Sequence, residues 1–429
     1  MRNEILARAY DLPEPRRRRL EIVRDLVAGR SIVWLFPRTV AQEPFVESII
    51  NDCARQGLHG HVLRVVPDRT LPGSCIAKQY RINTTPGQPV PAGQLIVSQE
   101  LPDFILLEGL DFLDDDQARL WVRFIDEWSQ AAKASETLGY YPRALLILTS
   151  NHELVQLIKT DVYLGVHWLW GYLSTQELQL IARAIALERG FSYESLLWVQ
   201  SVLVELAGCD PELLIWLMDN GNVTLDNYLN VLGTFAEQRG WSHEWLQDTK
   251  TEIGALPTRL DLQRPDPPFN LRPMWQQGII EWDVDEGVVM HSAALALLQD
   301  ELALEHRIWR GQAKALLPIL DGRRLQICRF LDRSSHDWRK FCNYANENGW
   351  ERSLSPHSGE PIAEYGTIVD FLKDAKINAP RRWRDRRSFG ERVNCLRLAR
   401  NSLAHYTPLQ KEQFTTVVGQ LTQICKLVG

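Results

Sequence analysis

Three side chains that can move a proton or hold a phosphate stand close together near the end of the sequence: Arg400, Asn401 and His405. Histidine exchanges protons near neutral pH and serves as a general acid or base. Arginine carries a fixed charge on a planar fork that matches phosphate oxygens. The asparagine amide both donates and accepts hydrogen bonds. Breaking a phosphodiester needs a group that takes or gives a proton and a cation against the crowded phosphorus. This set supplies both from protein groups alone.

A helix must position them. Residues 393–406 read as helical, and Pro408 sets the limit, because proline cannot continue a helix and restricts the residue before it. At the helical period Val393, Leu396, Ala399, Leu403 and Ala404 share one arc, and Arg400 falls inside it, between Leu396 and Val393. Arg397, Asn401 and His405 follow at i, i+4, i+8 as a polar stripe beside that arc. A guanidinium among such residues is costly if sealed in a monomer core and reasonable beside a cleft shared with a second chain, which predicts dimerisation. The other reading of the same residues is an arginine that snorkels and a histidine that caps the last turn.

Arg-Asn-x-x-x-His on a late helix resembles the motif of the HEPN superfamily, small helical-bundle domains of which many are metal-independent ribonucleases. By position, Arg400, Asn401 and His405 match its arginine, the polar residue that often follows, and its histidine. The resemblance spans the last quarter or so of the chain. It implies RNA as partner and an active site formed by two copies of this helix in a homodimer. The most basic stretch leads into the helix: Arg381, Arg382, Trp383, Arg384, Arg386 and Arg387, with Arg397 following. Phosphate pairing with base stacking on Trp383 suits RNA; a solvated charged loop is the alternative.

The N-terminal third reads as strands alternating with helices. Residues 31–36, 61–66, 103–107 and 143–149 are apolar runs of strand length, with helices expected over 16–28, 47–55 and up to about residue 128. The run of arginines at 16–19 reads as a solvated face. This alternation predicts a parallel, doubly wound sheet. It resembles the ATPase core of AAA+ and STAND proteins: the third strand with Glu108 and Asp111 looks like a Walker B strand, and the fourth, ending at Asn151, like a sensor strand. The departure is the phosphate loop. Residues 37–44 after the first strand hold neither a glycine nor a lysine, with Arg38 the nearby cation. A degenerate nucleotide site (Arg38, Glu108, Asp111, Asn151) with no nucleotide cofactor and no metal is therefore expected. Its carboxylates then read as strand-end and helix-cap groups.

Residues 67–93 read as a long loop or irregular insertion rich in Pro, Gly, Thr and Arg. From Ser174 the pattern is helical, opened by the capping box Ser174–Glu177, and the resemblance makes residues 166–255 a helical lid. A proline-rich linker covers residues 256–273. Alternating runs at 279–284 and 288–292 about an acidic Gly turn predict a hairpin, and residues 256–300 resemble a winged helix. Its wing carries Glu281, Asp283, Asp285 and Glu286, which repel phosphate and favour a protein contact. Helices follow over 293–317, broken or kinked at Pro318, then over 323–331, 338–344, 367–376 and 411–427.

At 429 residues, net charge −6 and 45% hydrophobic content, the chain can build several cores, and its overall charge does not announce a nucleic-acid binder. Seven scattered cysteines form no Cys-x-x-Cys pair, and no HExxH stands among the histidines. No apolar run is long enough to span a bilayer and no apolar signal core opens the chain, so a cytoplasmic protein with no membrane contact is expected. The fold class expected is α/β plus α: a degenerate P-loop NTPase-like domain (1–165), a lid (166–255), a winged-helix-like module (256–300) and a HEPN-like bundle (301–429). The function implied is a ribonuclease effector or toxin gated by the NTPase-like module, in prokaryotic defence or stress. The alternatives are a non-catalytic pseudo-ATPase/HEPN scaffold that binds a partner NTPase, an antitoxin or RNA, and a DNA-binding regulator.

Overall fold

Five consecutive buried side chains, Ser31–Leu35, form the first strand (β1), and what surrounds it explains why it carries no charge. β1 pairs in parallel with Ala144–Thr149 (β4) on one side and with Leu164–Trp168 (β5) on the other, so Val33 lies between Ile147 and Val166. Phe104–Glu108 (β3) pairs with β4, and Gly60–Arg64 (β2) closes the far edge. The order is β2-β3-β4-β1-β5, all parallel, which is compatible with a P-loop-like core. β1 and β4 are buried on both faces, as parallel strands covered by helices require, whereas edge strand β2 buries little beyond Leu63. Gly60 lies close against the neighbouring strand: a Cβ would fall 1.9 Å from the Phe104 ring, which would have to move.

The computed structural model describes residues 9–68, 70–85, 88–171, 173–220, 223–256, 266–283, 286–349, 355, 360, 362–374 and 386–428. The chain forms two compact units. The first comprises Met1–Glu177, Cys209–Pro211 and Gly240–Ala294, and the second Leu178–Gly208, Glu212–Arg239 and Leu295–Gly429. The expected segment 1–165 and the hairpin fall in the first, 301–429 falls in the second, and 166–255 is divided between them.

In the first unit, helices Pro13–Val27 and Glu43–Arg55 pack together through a buried ion pair, Arg19 Nε to Asp52 Oδ2 at 3.1 Å. The arginine run is therefore not a solvated face throughout. Arg19 lies on the same side as Ile22, Val23 and Leu26 and is buried with them, while Arg17 and Arg18 pair with Glu14 and Glu21 on the outside. Residues 67–93 are not one long loop either. Helix Pro72–Gln79 forms there, with proline in its first turn, Ile76 and Ala77 buried, and Gly73 so close to the Val90 carbonyl that a Cβ would lie 1.9 Å away. The capping box is present: Ser174 Oγ accepts from the Glu177 amide at 3.3 Å, and Glu177 accepts from the Ser174 amide at 2.8 Å. The hairpin is Ile280–Asp283 (β6) with Gly287–Met290 (β7). Val284 and Asp285 lie outside the described residues. Glu281 does not belong to an exposed wing, because it is buried and accepts from the Cys209 amide at 3.1 Å.

The described part of the second unit is helical. Its longest element, Glu301–Ser334, runs through Pro318 without a break. Pro318 lies on the exposed side of the helix, while Leu316 and Leu320 on either side are fully buried. Gly311 lets this helix approach Ser201 closely, since a Cβ would lie 2.4 Å from the Ser201 carbonyl oxygen. Beside it the buried Glu205 carboxylate accepts from Arg310 at 2.7 Å and Lys314 at 2.8 Å. Helix Arg386–Ala404, which carries the Arg-Asn-x-x-x-His residues, packs against Glu301–Ser334, Tyr365–Lys373 and Lys411–Val428.

Candidate functional site

Val393, Leu396, Ala399 and Leu403 are buried as the helical period requires, and full burial of each leucine stabilises the unit by about 1.5–3 kcal/mol. Ala404 and Arg400 depart from the apolar arc, since both are exposed. The neighbouring helix explains this. Tyr365–Lys373 begins just after Glu364, whose carboxylate lies 3.5 Å from Arg400 Nη2. The covering element thus stops at the level of Arg400, and the same face that is sealed at Val393 is open one and a half to two turns later. Arg400 keeps 44% and Glu364 39% of side-chain exposure. The guanidinium is therefore not sealed in an apolar setting, and the burial argument for a second chain falls. Asn401 and His405 are exposed as well, so the three candidate groups share one open helix end.

The end itself is built from backbone. The Thr407 amide donates to the Ser402 carbonyl at 2.9 Å and the Tyr406 amide to Leu403 at 3.3 Å, the double closure of a Schellman motif. Tyr406 takes the left-handed position at φ 59°, which glycine usually fills. A side chain there costs about 1–2 kcal/mol. Contact of its ring with Trp309, centroids 4.7 Å apart, offsets about 0.5–1.5 kcal/mol of that. Two side chains of Glu301–Ser334 hold the segment from behind. Trp309 Nε1 donates to the Leu403 carbonyl at 2.7 Å. The buried Gln312 amide donates to the Leu409 carbonyl at 2.8 Å and accepts from its N–H at 2.7 Å.

The arginines expected to bind RNA are partly accounted for. Arg381, Arg382, Trp383 and Arg384 lie outside the described residues, as does the side chain of Arg386. Arg387 is exposed and pairs with Glu391 at 3.0 Å, one helical turn on. Arg397 is half-buried and donates to Asn394 at 3.0 Å. Sequence reasoning missed Glu364, Trp309 and Gln312. No spacing links them to residues 400–405, because they come from other helices.

The second candidate site lies at the carboxyl ends of β1, β3 and β4 in the first unit. Open parallel sheets bind ligands at this edge. Here the chain makes contacts with itself. The Arg38 amide donates to the Gln276 carbonyl at 2.8 Å, and Gly278 lies so close to Thr39 that a Cβ would fall 2.6 Å from its hydroxyl. Gln276 also meets His152 Nδ1 at 2.7 Å, and Trp275 Nε1 donates to the Leu169 carbonyl at 3.1 Å. Asp111 accepts from the Thr149 hydroxyl, from the Ser150 amide at 2.9 Å and from the Asn151 amide at 3.1 Å. Asn151 caps helix His152–Leu157 by accepting from the Glu153 amide at 3.0 Å. Glu108 lies 3.7 Å from Arg64 on the neighbouring strand. The Arg38 side chain is exposed.

Among the described residues no group of three His, Cys, Asp or Glu side chains is placed to hold a metal ion, and no helix is long and apolar enough to cross a membrane. Burial pushes the Cys53, Cys328 and Cys342 thiols up to about 12, which makes them poor nucleophiles at neutral pH. No protein-family model matches the chain, and no curated protein is significantly similar to it.

Proposed function

We propose that the second unit is a metal-independent endoribonuclease of the HEPN kind, working as an effector or toxin, and that the first unit is a pseudo-NTPase module that gates it. The observation that carries this reading is the open end of helix Arg386–Ala404. Arg400, Asn401 and His405 are exposed there, while Leu396, Ala399 and Leu403 root the same helix in the core. In the proposed reaction the 2′-oxygen bonds to phosphorus as the P–O5′ bond breaks; His405 takes the 2′-OH proton or gives one to the departing 5′-oxygen, and water serves the other transfer. Arg400 stabilises the charge on the phosphorane, and Asn401 orients the imidazole or a non-bridging oxygen. The products are a 2′,3′-cyclic phosphate and a 5′-hydroxyl. Glu364 holds Arg400 only across an exposed 3.5 Å contact, so an RNA phosphate can displace it. A homodimer would bring a second Arg400–His405 pair to the same cleft, and that part rests on the motif resemblance.

One observation favours the scaffold reading: Arg400 already has an anion, Glu364, of its own chain. Expression in cells separates the two. Wild-type protein is expected to slow growth and fragment cellular RNA, and His405→Ala to do neither. Equal growth and intact RNA with both forms, including in the presence of the natural partner, would move the assignment to the scaffold.

A further inference from the structure

The rings behind His405 have no part in the chemistry proposed above. His306 and Trp309 occupy successive turns of helix Glu301–Ser334, with centroids 5.3 Å apart and planes 33° apart. Trp309 continues to Tyr406 at 4.7 Å and 46°. The three rings form a short row in which His306 is exposed, Trp309 half-buried and Tyr406 71% exposed. The Trp309 N–H is committed to the Leu403 carbonyl, which fixes the ring by its edge. Tyr406 is held at a positive φ that glycine would adopt without strain, directly after His405. A fixed indole and a strained, open phenol beside a candidate acid–base group are two independent features of the same place.

We infer that His306, Trp309 and Tyr406 form a stacking platform for unpaired bases of single-stranded RNA. The inference rests on the reading of the Arg400–His405 end as RNA-facing. Every base offers a π-face, so such a platform binds single strands with little sequence preference. The surroundings fit a nucleic acid better than a protein partner. Asn401, His405 and Thr407, close to Tyr406 in sequence, and Glu305, next to His306, are exposed, as is the aliphatic Leu302 one turn before His306. Glu301 and Glu305 on the first turns of the long helix disfavour phosphate. The strand is therefore expected to lay its bases on the rings and its backbone on the Arg400 side. Duplex RNA keeps its bases stacked inside and has no use for the platform.

The test uses the full chain and labelled 2′-O-methyl oligonucleotides, which lack the attacking hydroxyl and stay intact. Binding is read by anisotropy for a single strand, the same strand with abasic positions, and a duplex. Wild type is expected to prefer the single strand. Tyr406→Gly, which removes both the ring and the backbone strain, should melt no lower than wild type and bind the single strand about tenfold more weakly, the scale of one lost base–aromatic stack. Tyr406→Phe should keep wild-type binding. Equal binding of single and abasic strands by wild type, or unchanged binding by Tyr406→Gly, overturns the inference. So does a loss of binding that follows dissociation of a dimer in sedimentation, which would assign the rings to a second copy of the chain. Cleavage of unmodified RNA by wild type is scored separately: cleavage without the stacking preference sinks the platform alone, and the preference without cleavage sinks the nuclease alone.

Discussion

At the carboxyl edge of the sheet Asp111 accepts from Thr149, Ser150 and Asn151, and the Arg38 amide is spent on the Gln276 carbonyl. At the end of helix Arg386–Ala404, Arg400, Asn401 and His405 stand exposed, with one long contact to Glu364. Both places carry residues in motif-like spacing. In the first, the chain supplies partners to the Asp111 carboxylate and the Arg38 backbone. In the second, the chain supplies the rigid backing and leaves the polar groups open. A motif residue is a candidate for chemistry when its hydrogen-bonding capacity is unspent and its backbone is fixed, and this contrast separates the two places better than the motifs do.

The largest effect expected from this contrast is on catalysis. Arg400→Ala and His405→Ala should each lower RNA cleavage by roughly a hundredfold or more, the scale for losing a charge stabiliser or an acid–base group. The fold should be unchanged, because both side chains are exposed. Next is the backing. Gln312→Ala leaves the N–H and carbonyl of the buried Leu409 without partners, and should cost about 2–3 kcal/mol in urea unfolding of the second unit. An unchanged midpoint would show that the segment behind His405 is not held as described.

Asp111→Ala tests the site at the sheet edge. It strands the Ser150 amide and the Thr149 hydroxyl, while the Asn151 amide keeps the Thr149 oxygen at 3.0 Å, and because Asp111 is itself exposed, water can replace part of what is lost. A cost of about 1–2 kcal/mol is expected in the urea midpoint of the first unit. Calorimetry of wild type with Mg-ATP should at the same time show no micromolar site. An unchanged midpoint joined to tight nucleotide binding that Asp111→Ala abolishes would break the comparison. The smallest effect belongs to Glu364→Gln. An exposed pair is worth under about 1 kcal/mol, so freeing Arg400 should tighten RNA binding by roughly two- to fivefold, less at high salt. Weaker binding would mean that Glu364 positions Arg400 instead of competing for it.

Residues with a strong local pattern were legible in the sequence. β1, β3 and β4 are apolar runs of strand length, and the Ser174–Glu177 box and the hairpin carry local signals. β5 was not, because Leu164-Gly-Val-His-Trp168 is short and mixed, and only its pairing with β1 makes it a strand. Helix Pro72–Gln79 hid in a segment whose prolines and glycines read as loop, where one proline begins the helix and one glycine permits close packing. Pro318 read as a break, and burial of Leu316 and Leu320 on both sides carries the helix through it. Arg19 and Glu281 read as surface charge, although each has a partner distant in sequence. For the candidate site, helical projection placed Asn401 and His405 on the open side. It could not show that the covering helix ends at Glu364, which is what exposes Arg400.

The most direct measurement is cleavage of an end-labelled single-stranded RNA by the purified full chain, in magnesium and in EDTA, with analysis of the product ends. Wild type is expected to cut equally in both and to leave a 2′,3′-cyclic phosphate or its opened form, and His405→Ala is expected to cut at no more than about one hundredth of that rate. Cleavage that requires magnesium, or that persists unchanged in His405→Ala, would contradict the account.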